Sequence, residues 1–170
     1  MGPNSAVEIS AANRADLAIV QDLARRIWHR HYPGIISAGQ IDYMLARGYQ
    51  TAVLERFLTT PGSGLVLARV DGVPVGFAAW YRSEEPATTK LDKLYVLQEY
   101  QGRGIGRRLI ARVEAAARAA AASVLVLNVN KHNVASIATY ERCGFAVREA
   151  IVVDIGNGFV MDDHVMSKRL

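Results

Sequence analysis

Between residues 88 and 121 the spacing of the apolar residues changes, and glycines mark the place. Leu91, Leu94 and Val96 alternate with polar residues and a tyrosine, which predicts a strand over residues 88–97. Ile105, Leu109, Val113, Ala116 and Ala120 then recur at helical intervals, predicting a helix from about Gly104 to about Ala121. At ~1.5 Å per residue that helix is roughly 27 Å long. The junction reads Gln101-Gly102-Arg103-Gly104-Ile105-Gly106. A strand that enters a helix through so short a turn places the chain in the α/β class, with helices against a sheet.

The junction also has chemistry. The first four amides of a helix lack internal partners, and the macrodipole adds about half a positive charge there. Gly102, Gly104 and Gly106 keep side chains out of the way, and Arg103, Arg107 and Arg108 bring charge-assisted donors. A pyrophosphate suits this arrangement. The dinucleotide pattern G-x-G-x-x-G does not fit, because the third glycine is misplaced, and no Walker-type string is present. The glycines taken alone also read as simple turn punctuation.

A second string follows. Val124–Val129 predicts a buried strand, Asn130–Asn133 a turn, and Val134–Cys143 a helix that Asn133 would cap and Gly144 would end. Asn133 and Tyr140 are seven residues apart and so share a helix face, about 10 Å from each other along the axis. One extended ligand arm can touch both. Singly, Asn133 reads as a cap and Tyr140 as an amphipathic packing residue; beside the glycine turn, the ligand reading is preferred.

Together these residues resemble the GNAT acyltransferases, over roughly residues 91–146. Gln101, Gly104 and Gly106 match that family's Q/R-x-x-G-x-G/A turn, Leu94 and Val96 its preceding strand, and Leu127, Val129, Asn133, Ala135, Tyr140, Gly144 and Phe145 its second motif. The resemblance implies a mixed central sheet, flanked by helices, whose two central parallel strands splay apart to hold acetyl-CoA. It implies that Leu94, Tyr95, Val96, Gln101, Gly102, Arg103, Gly104, Ile105, Gly106 and Arg107 hold the cofactor, that Asn133 bonds its pantetheine arm, and that Tyr140 lies by the thioester sulfur. The implied reaction moves an acetyl group to an amine.

That reaction needs a proton removed from an alkylammonium that titrates near ~10.4, and a donor for the departing thiolate. A tyrosine hydroxyl at about 10 can donate to a thiolate without being ionised itself, which makes Tyr140 the candidate acid. Amides near Leu94–Val96 are placed for the oxyanion. Asp92, expected on the same strand face as Leu94, is the candidate base, directly or through water. It reads equally as a structural carboxylate paired with Lys90 or Arg103. Glu84, Glu85 and a water chain are reserves. Trp28, His31, Tyr32 and Tyr43, with Asp162, Asp163 and His164, are candidate walls of the acceptor pocket, and the Asp162-Asp163 pair suits a cationic amine. The run Ile155–Met166 is similar to that of PaiA-like members, which implies a small amine or polyamine. A peptide or protein amine is the alternative acceptor, and a CoA-binding module without turnover the alternative activity.

The remaining composition sets bounds. The 170 residues, 51% of them hydrophobic, suit a single domain over 1–170, with residues 1–5 expected to be flexible. Net charge is +4, from 20 basic and 16 acidic residues, and the arginines cluster on the proposed cofactor helix, so no nucleic-acid partner is expected. Cys143 is the only cysteine, which rules out an intrachain disulfide. His29, His31, His132 and His164 lack metal-ligand spacing, so no metal is expected. No apolar run approaches the ~20 residues of a membrane span, and neither a secretory signal nor a myristoylation motif is visible, which points to the cytoplasm without a membrane partner. The resemblance leaves a homodimer open.

Elsewhere Val7–Ser10 predicts a strand, Asp16–His31 a helix, and Ala38–Leu58 a helical region interrupted at Gly48. Leu65–Val70 and Val73–Tyr81 predict a hairpin about Asp71-Gly72, and residues 146–155 and 159–169 two closing strands about Gly156-Asn157-Gly158. The expected order is β-α-α-β-β-β-α-β-α-β-β.

Overall fold

The structure, a computed structural model, describes residues 6–170. The expectation of flexibility for residues 1–5 lies outside the described residues. The chain runs β1 (Val7–Ala11), α1 (Leu17–His31), α2 (Ala38–Gly48), α3 (Thr51–Thr59), β2 (Gly64–Val70), β3 (Val73–Arg82), β4 (Thr88–Val96), α4 (Ile105–Ala119), β5 (Val124–Asn130), α5 (Val134–Arg142), β6 (Ala146–Gly156) and β7 (Phe159–Arg169). The helical region expected over 38–58, with its interruption at Gly48, is two separate helices. Gly48 ends α2, and extended Gln50 restarts the chain as α3. Single 3-10 turns, Arg14–Asp16 and Gln98–Tyr100, precede α1 and follow β4. The first is held by a capping box, in which Asn13 accepts from Ala15 N–H while its own N–H donates to Asp16.

All seven strands form one sheet in the order β1-β2-β3-β4-β5-β7-β6. Only β4 and β5 are parallel, joined by the crossover through α4. The β2–β3 hairpin turns at Asp71-Gly72, both with positive φ (49° and 82°), as the primed turn of a two-residue hairpin requires. Helices α1 and α3 pack on β2–β4 from one side. Trp28 of α1 and Tyr49 meet Phe77 of β3 and Tyr95 of β4 there. Helix α4 packs across β1–β4, burying Ile105, Leu109, Ile110 and Val113, and its Glu114 accepts from Lys168 of β7 at 2.6 Å. Both layers share one apolar core, with Leu67, Phe77, Leu109, Leu127 and Met166 fully buried. No helix among the described residues is long and apolar enough to cross a membrane.

Candidate active site

The parallel strands part early. β4 pairs with β5 from Thr88–Val124 to Leu91–Leu127 and no further. Beyond that point β4 stays with β3, ending at Val96 opposite Gly76, while β5 follows β7 to Asn130 opposite Asp163. The facing edges of residues 92–96 and 128–130 therefore share no ladder, and a cavity of about 400 Å³ opens between them, lined by Leu94, Tyr95, Val96, Asn128, Asn133 and Tyr140 among others. A second hollow of about 370 Å³ adjoins it, with Ile27, His31, Val96 and Gln101 common to both.

The glycine turn stands at one end of this gap. Gly102 and Gly104 have φ of 74° and 75°, a left-handed conformation that side chains resist, so these positions need glycine for the turn itself. Gly104 is the N-cap of α4 and uses no side chain to close the helix. The first i→i−4 bond is made by Arg108 N–H to Gly104 O, which leaves the amides of Ile105, Gly106 and Arg107 ahead of the helical ladder. A Cβ built on Gly106 meets nothing within 4 Å, so the approach to these amides is open. The Gln101 side chain donates back to Val96 O at 3.2 Å, fastening the turn to the last residue of β4. Arg103 lies over the Tyr100 ring at 5.0 Å and donates to Glu99 O, whereas Arg107 and Arg108 are exposed beside the helix mouth.

Asn133 and Tyr140 line the same cavity, as their spacing predicts, and Asn133 is the N-cap residue of α5, but its side chain does not do the capping. Its side chain makes no bond to the α5 amides. Its Oδ1 instead meets His31 Nε2 of α1 at 3.1 Å, with the residue only 5% exposed. The far end of α5 behaves as predicted. Gly144 has φ 92°, its N–H donates to Glu141 O, and Phe145 N–H donates to Tyr140 O. That is a Schellman ending, and the contact that accompanies it joins Phe145 to Tyr140, with ring centroids 5.8 Å apart. Burial raises the Tyr140 hydroxyl above its ordinary range, so it holds its proton at neutral pH.

Asp92 departs from the expected geometry. The register between β3 and β4 shifts where Ala79 opposes Lys93 and Trp80 opposes Leu91, so Asp92 is the extra residue of a β-bulge. The bulge breaks the alternation and puts Leu91 on the face of Leu94, while Asp92 lines the same cavity as both. The Asp92 carboxylate pairs with Lys93 Nζ at 2.8 Å, rather than with Lys90 or Arg103. Lys93 in turn lies over the Tyr49 ring at 4.7 Å. Lys90 donates to Asn128 Oδ1 across the two strands, and burial lowers its ammonium despite the nearby Asp92 and Asp163. Of the reserve bases, Glu85 is engaged by both Arg148 amino groups, at 3.0 and 2.9 Å.

The acceptor wall is partly as expected. Trp28 and Tyr32 both line the cavity, with ring centroids 4.5 Å apart. Trp28 is 5% exposed and donates its indole N–H to Tyr49 Oη at 3.2 Å, so it serves as an apolar floor. Tyr32 Oη meets Tyr95 Oη at 3.1 Å, and burial raises both hydroxyls. Tyr43 lies outside the cavity; it donates to Ile155 O at 2.7 Å and ties the β6–β7 hairpin to α2. Asp162 and Asp163 do not act as a pair. Adjacent strand residues point to opposite faces, and Asp162 is bound to Lys131 while Asp163 shares its face with Met161, which lines the cavity. Asp163 is 1% exposed, neither carboxylate oxygen has a hydrogen-bond partner, and burial pushes it up to about 6 against the pull of Lys90. His164 lies on the face of Asp162. Sequence reasoning missed Tyr49 and Lys93, since neither belongs to a motif and only the bulge brings Lys93 to Asp92.

A family model described as the acetyltransferase (GNAT) family matches residues 23–145, a span that holds β4, the glycine turn, α4, β5 and α5. An uncharacterised N-acetyltransferase of Mycobacterium tuberculosis is 28% identical over 148 residues, covering 87% of this chain and 94% of that protein. The L-amino acid N-acyltransferase MnaT of Escherichia coli is 29% identical over 92 residues, or 52% of this chain and 54% of that protein. Among solved structures, the PaiA N-acetyltransferase of Thermoplasma acidophilum in complex with coenzyme A has a TM-score of 0.82 at 23% identity, covering 97% of this chain and 99% of that one.

Proposed function

The chain belongs to the GNAT acetyltransferase family and is an acetyl-CoA-dependent N-acetyltransferase, and from that premise we propose that its acceptor is the primary amine of a small molecule, received beside Asp163. Acetyl-CoA supplies the activated acyl group. The open amides of Ile105, Gly106 and Arg107, with the Arg103 and Arg107 guanidiniums, fit its pyrophosphate. Gly102 and Gly104 shape that turn, and Gln101 fixes it to the strand. Asn133 faces the pantetheine arm. The amides of Leu94 and Val96, on the strand edge that β5 abandons, donate to the oxyanion that develops at the acyl carbonyl, while the Tyr95 N–H faces β3. Tyr140 donates to the departing sulfur. Asp92, at the start of the gap, takes the ammonium proton directly or through water, with Lys93 paired to its carboxylate.

The observation that carries the acceptor reading is the Asp163 carboxylate, buried with two unsatisfied oxygens on the strand face of Met161, which lines the cavity. A buried charge without donors is costly, and an ammonium supplies what it lacks. Trp28 and Tyr32 offer that ammonium ring faces. Asp162 is already neutralised by Lys131. Lys90 and Lys93 line the cavity as well, and their charges favour an acceptor with one amine over a polyamine with several. The similarity to an L-amino acid N-acyltransferase is consistent with a small acceptor.

The test is a panel of monoamines, amino acids, spermidine and short peptides with acetyl-CoA, followed by release of free thiol. Turnover of a small monoamine, with KM raised at least tenfold by Asp163→Asn, is the expected result. Turnover of peptides alone would replace the acceptor reading, and coenzyme binding without thiol release from any amine would leave a binding module.

A further inference from the structure

We propose that His31 is a positioning residue for the cofactor arm: its ring Nε2–H holds the Asn133 side-chain oxygen and thereby aims the Asn133 NH2 group into the gap. The inference rests on the reading that Asn133 bonds the pantetheine arm.

An asparagine at the start of a helix ordinarily turns its oxygen onto the amides behind it. Asn133 does not. Its oxygen is claimed from outside the helix, by the last residue of α1, at 3.1 Å. An amide oxygen only accepts, so Nε2 is the donor in this bond. The remaining Nδ2 makes no hydrogen bond among the described residues, and Asn133 lines the cavity. A side-chain amide has a donor end and an acceptor end, so engaging the oxygen decides which end the cavity meets. A ligand carbonyl then finds two N–H groups rather than a lone pair. The imidazole is itself held, since the Tyr32 ring stands edge-on to it at 5.0 Å and 86°. His31 lines both adjoining hollows, so it sits where they meet. Its separation of 102 residues from Asn133 hides the link from any reading of local pattern.

The test compares coenzyme A affinity, by calorimetry, and kcat at saturating acetyl-CoA in Asn133→Ala, His31→Phe, His31→Gln and the double variant His31→Phe/Asn133→Ala. Phenylalanine keeps the ring packing without the donor, and glutamine restores an N–H at similar reach. His31→Phe should weaken coenzyme A binding by about threefold to tenfold, the range of one hydrogen bond, and raise KM for acetyl-CoA by a larger factor than it lowers kcat. His31→Gln should bind within twofold of the parent, and the double variant no more weakly than Asn133→Ala. Unchanged affinity in His31→Phe, equal losses in the Phe and Gln variants, or additive losses in the double variant would overturn the inference while leaving the Asn133 reading intact. Unchanged affinity in Asn133→Ala would overturn that reading and this inference together. Thermal melts of each variant separate these results from loss of fold.

Discussion

Tyr140 meets its task with a hydroxyl that does not ionise. Burial raises it above the ordinary tyrosine range, whereas a thiol titrates near ~8.5, so it serves sulfur as a hydrogen-bond donor that keeps its proton until the bond to carbon breaks. Tyr140→Phe keeps the ring against Phe145 and removes only the donor. Thiol-release kinetics should show kcat lowered about 100-fold or more, with KM for acetyl-CoA within about twofold. Asp163 carries the opposite burden. Its folded-state value of about 6 stands above that of an unfolded aspartate, so the folded protein holds the extra proton more tightly. Stability present at pH values below about 4 is lost as pH rises through about 6. Asp163→Asn removes that loss. Melting curves should show the variant more stable than the parent by roughly 1–3 kcal/mol at pH 8, with the two converging near pH 4.

At the scale of the element, the end of α5 explains why Gly144 and Phe145 accompany the tyrosine. The left-handed Gly144 lets Phe145 fold back onto Tyr140, and the two bonds of the Schellman ending fix the last turn. Gly144→Ala strains that ending and brings a Cβ within 3.3 Å of Lys168. It should cost about 1–2 kcal/mol by denaturant titration and lower kcat with Tyr140 intact. Elements of this kind were legible in the sequence because their signals are local. A glycine turn ahead of a helical stripe and a glycine after one each state a boundary. What was not legible depends on pairing between distant segments. Strand alternation implies unbroken pairing through Asp92, and no glycine or proline marks the bulge there. Adjacency suggested an acidic pair at Asp162 and Asp163, where a pleated strand sends one to Lys131 and the other toward the gap. Asn133 carries a cap residue's identity, and only the approach of α1 shows that its oxygen is engaged elsewhere.

At the scale of the whole molecule, the fold could be anticipated because two motifs name the two central strands, and the order of the other elements then leaves few ways to build the sheet. The interruption at Gly48 was legible, but its extent was less so, since a kink in one helix and a break between two share one apolar pattern. A cofactor that fills the gap binds the folded chain alone, so at a hundredfold excess over Kd it should stabilise the protein by about 2.7 kcal/mol. Hydrogen exchange should show where. Added coenzyme A should slow exchange at Leu94, Val96 and residues 105–107 and leave β1 and β2 as they were.

The register of β4 against β5 stops at Leu91–Leu127, so two large halves of the sheet are sewn together by a seam of only four rungs. The unstitched length beyond it is where a guest strand would enter most readily, since each exposed peptide group there awaits a complement. A pantetheine arm, with its own amides spaced along an extended chain, is such a guest, and while it is in place the molecule is closer to an unbroken sheet than the empty protein can be.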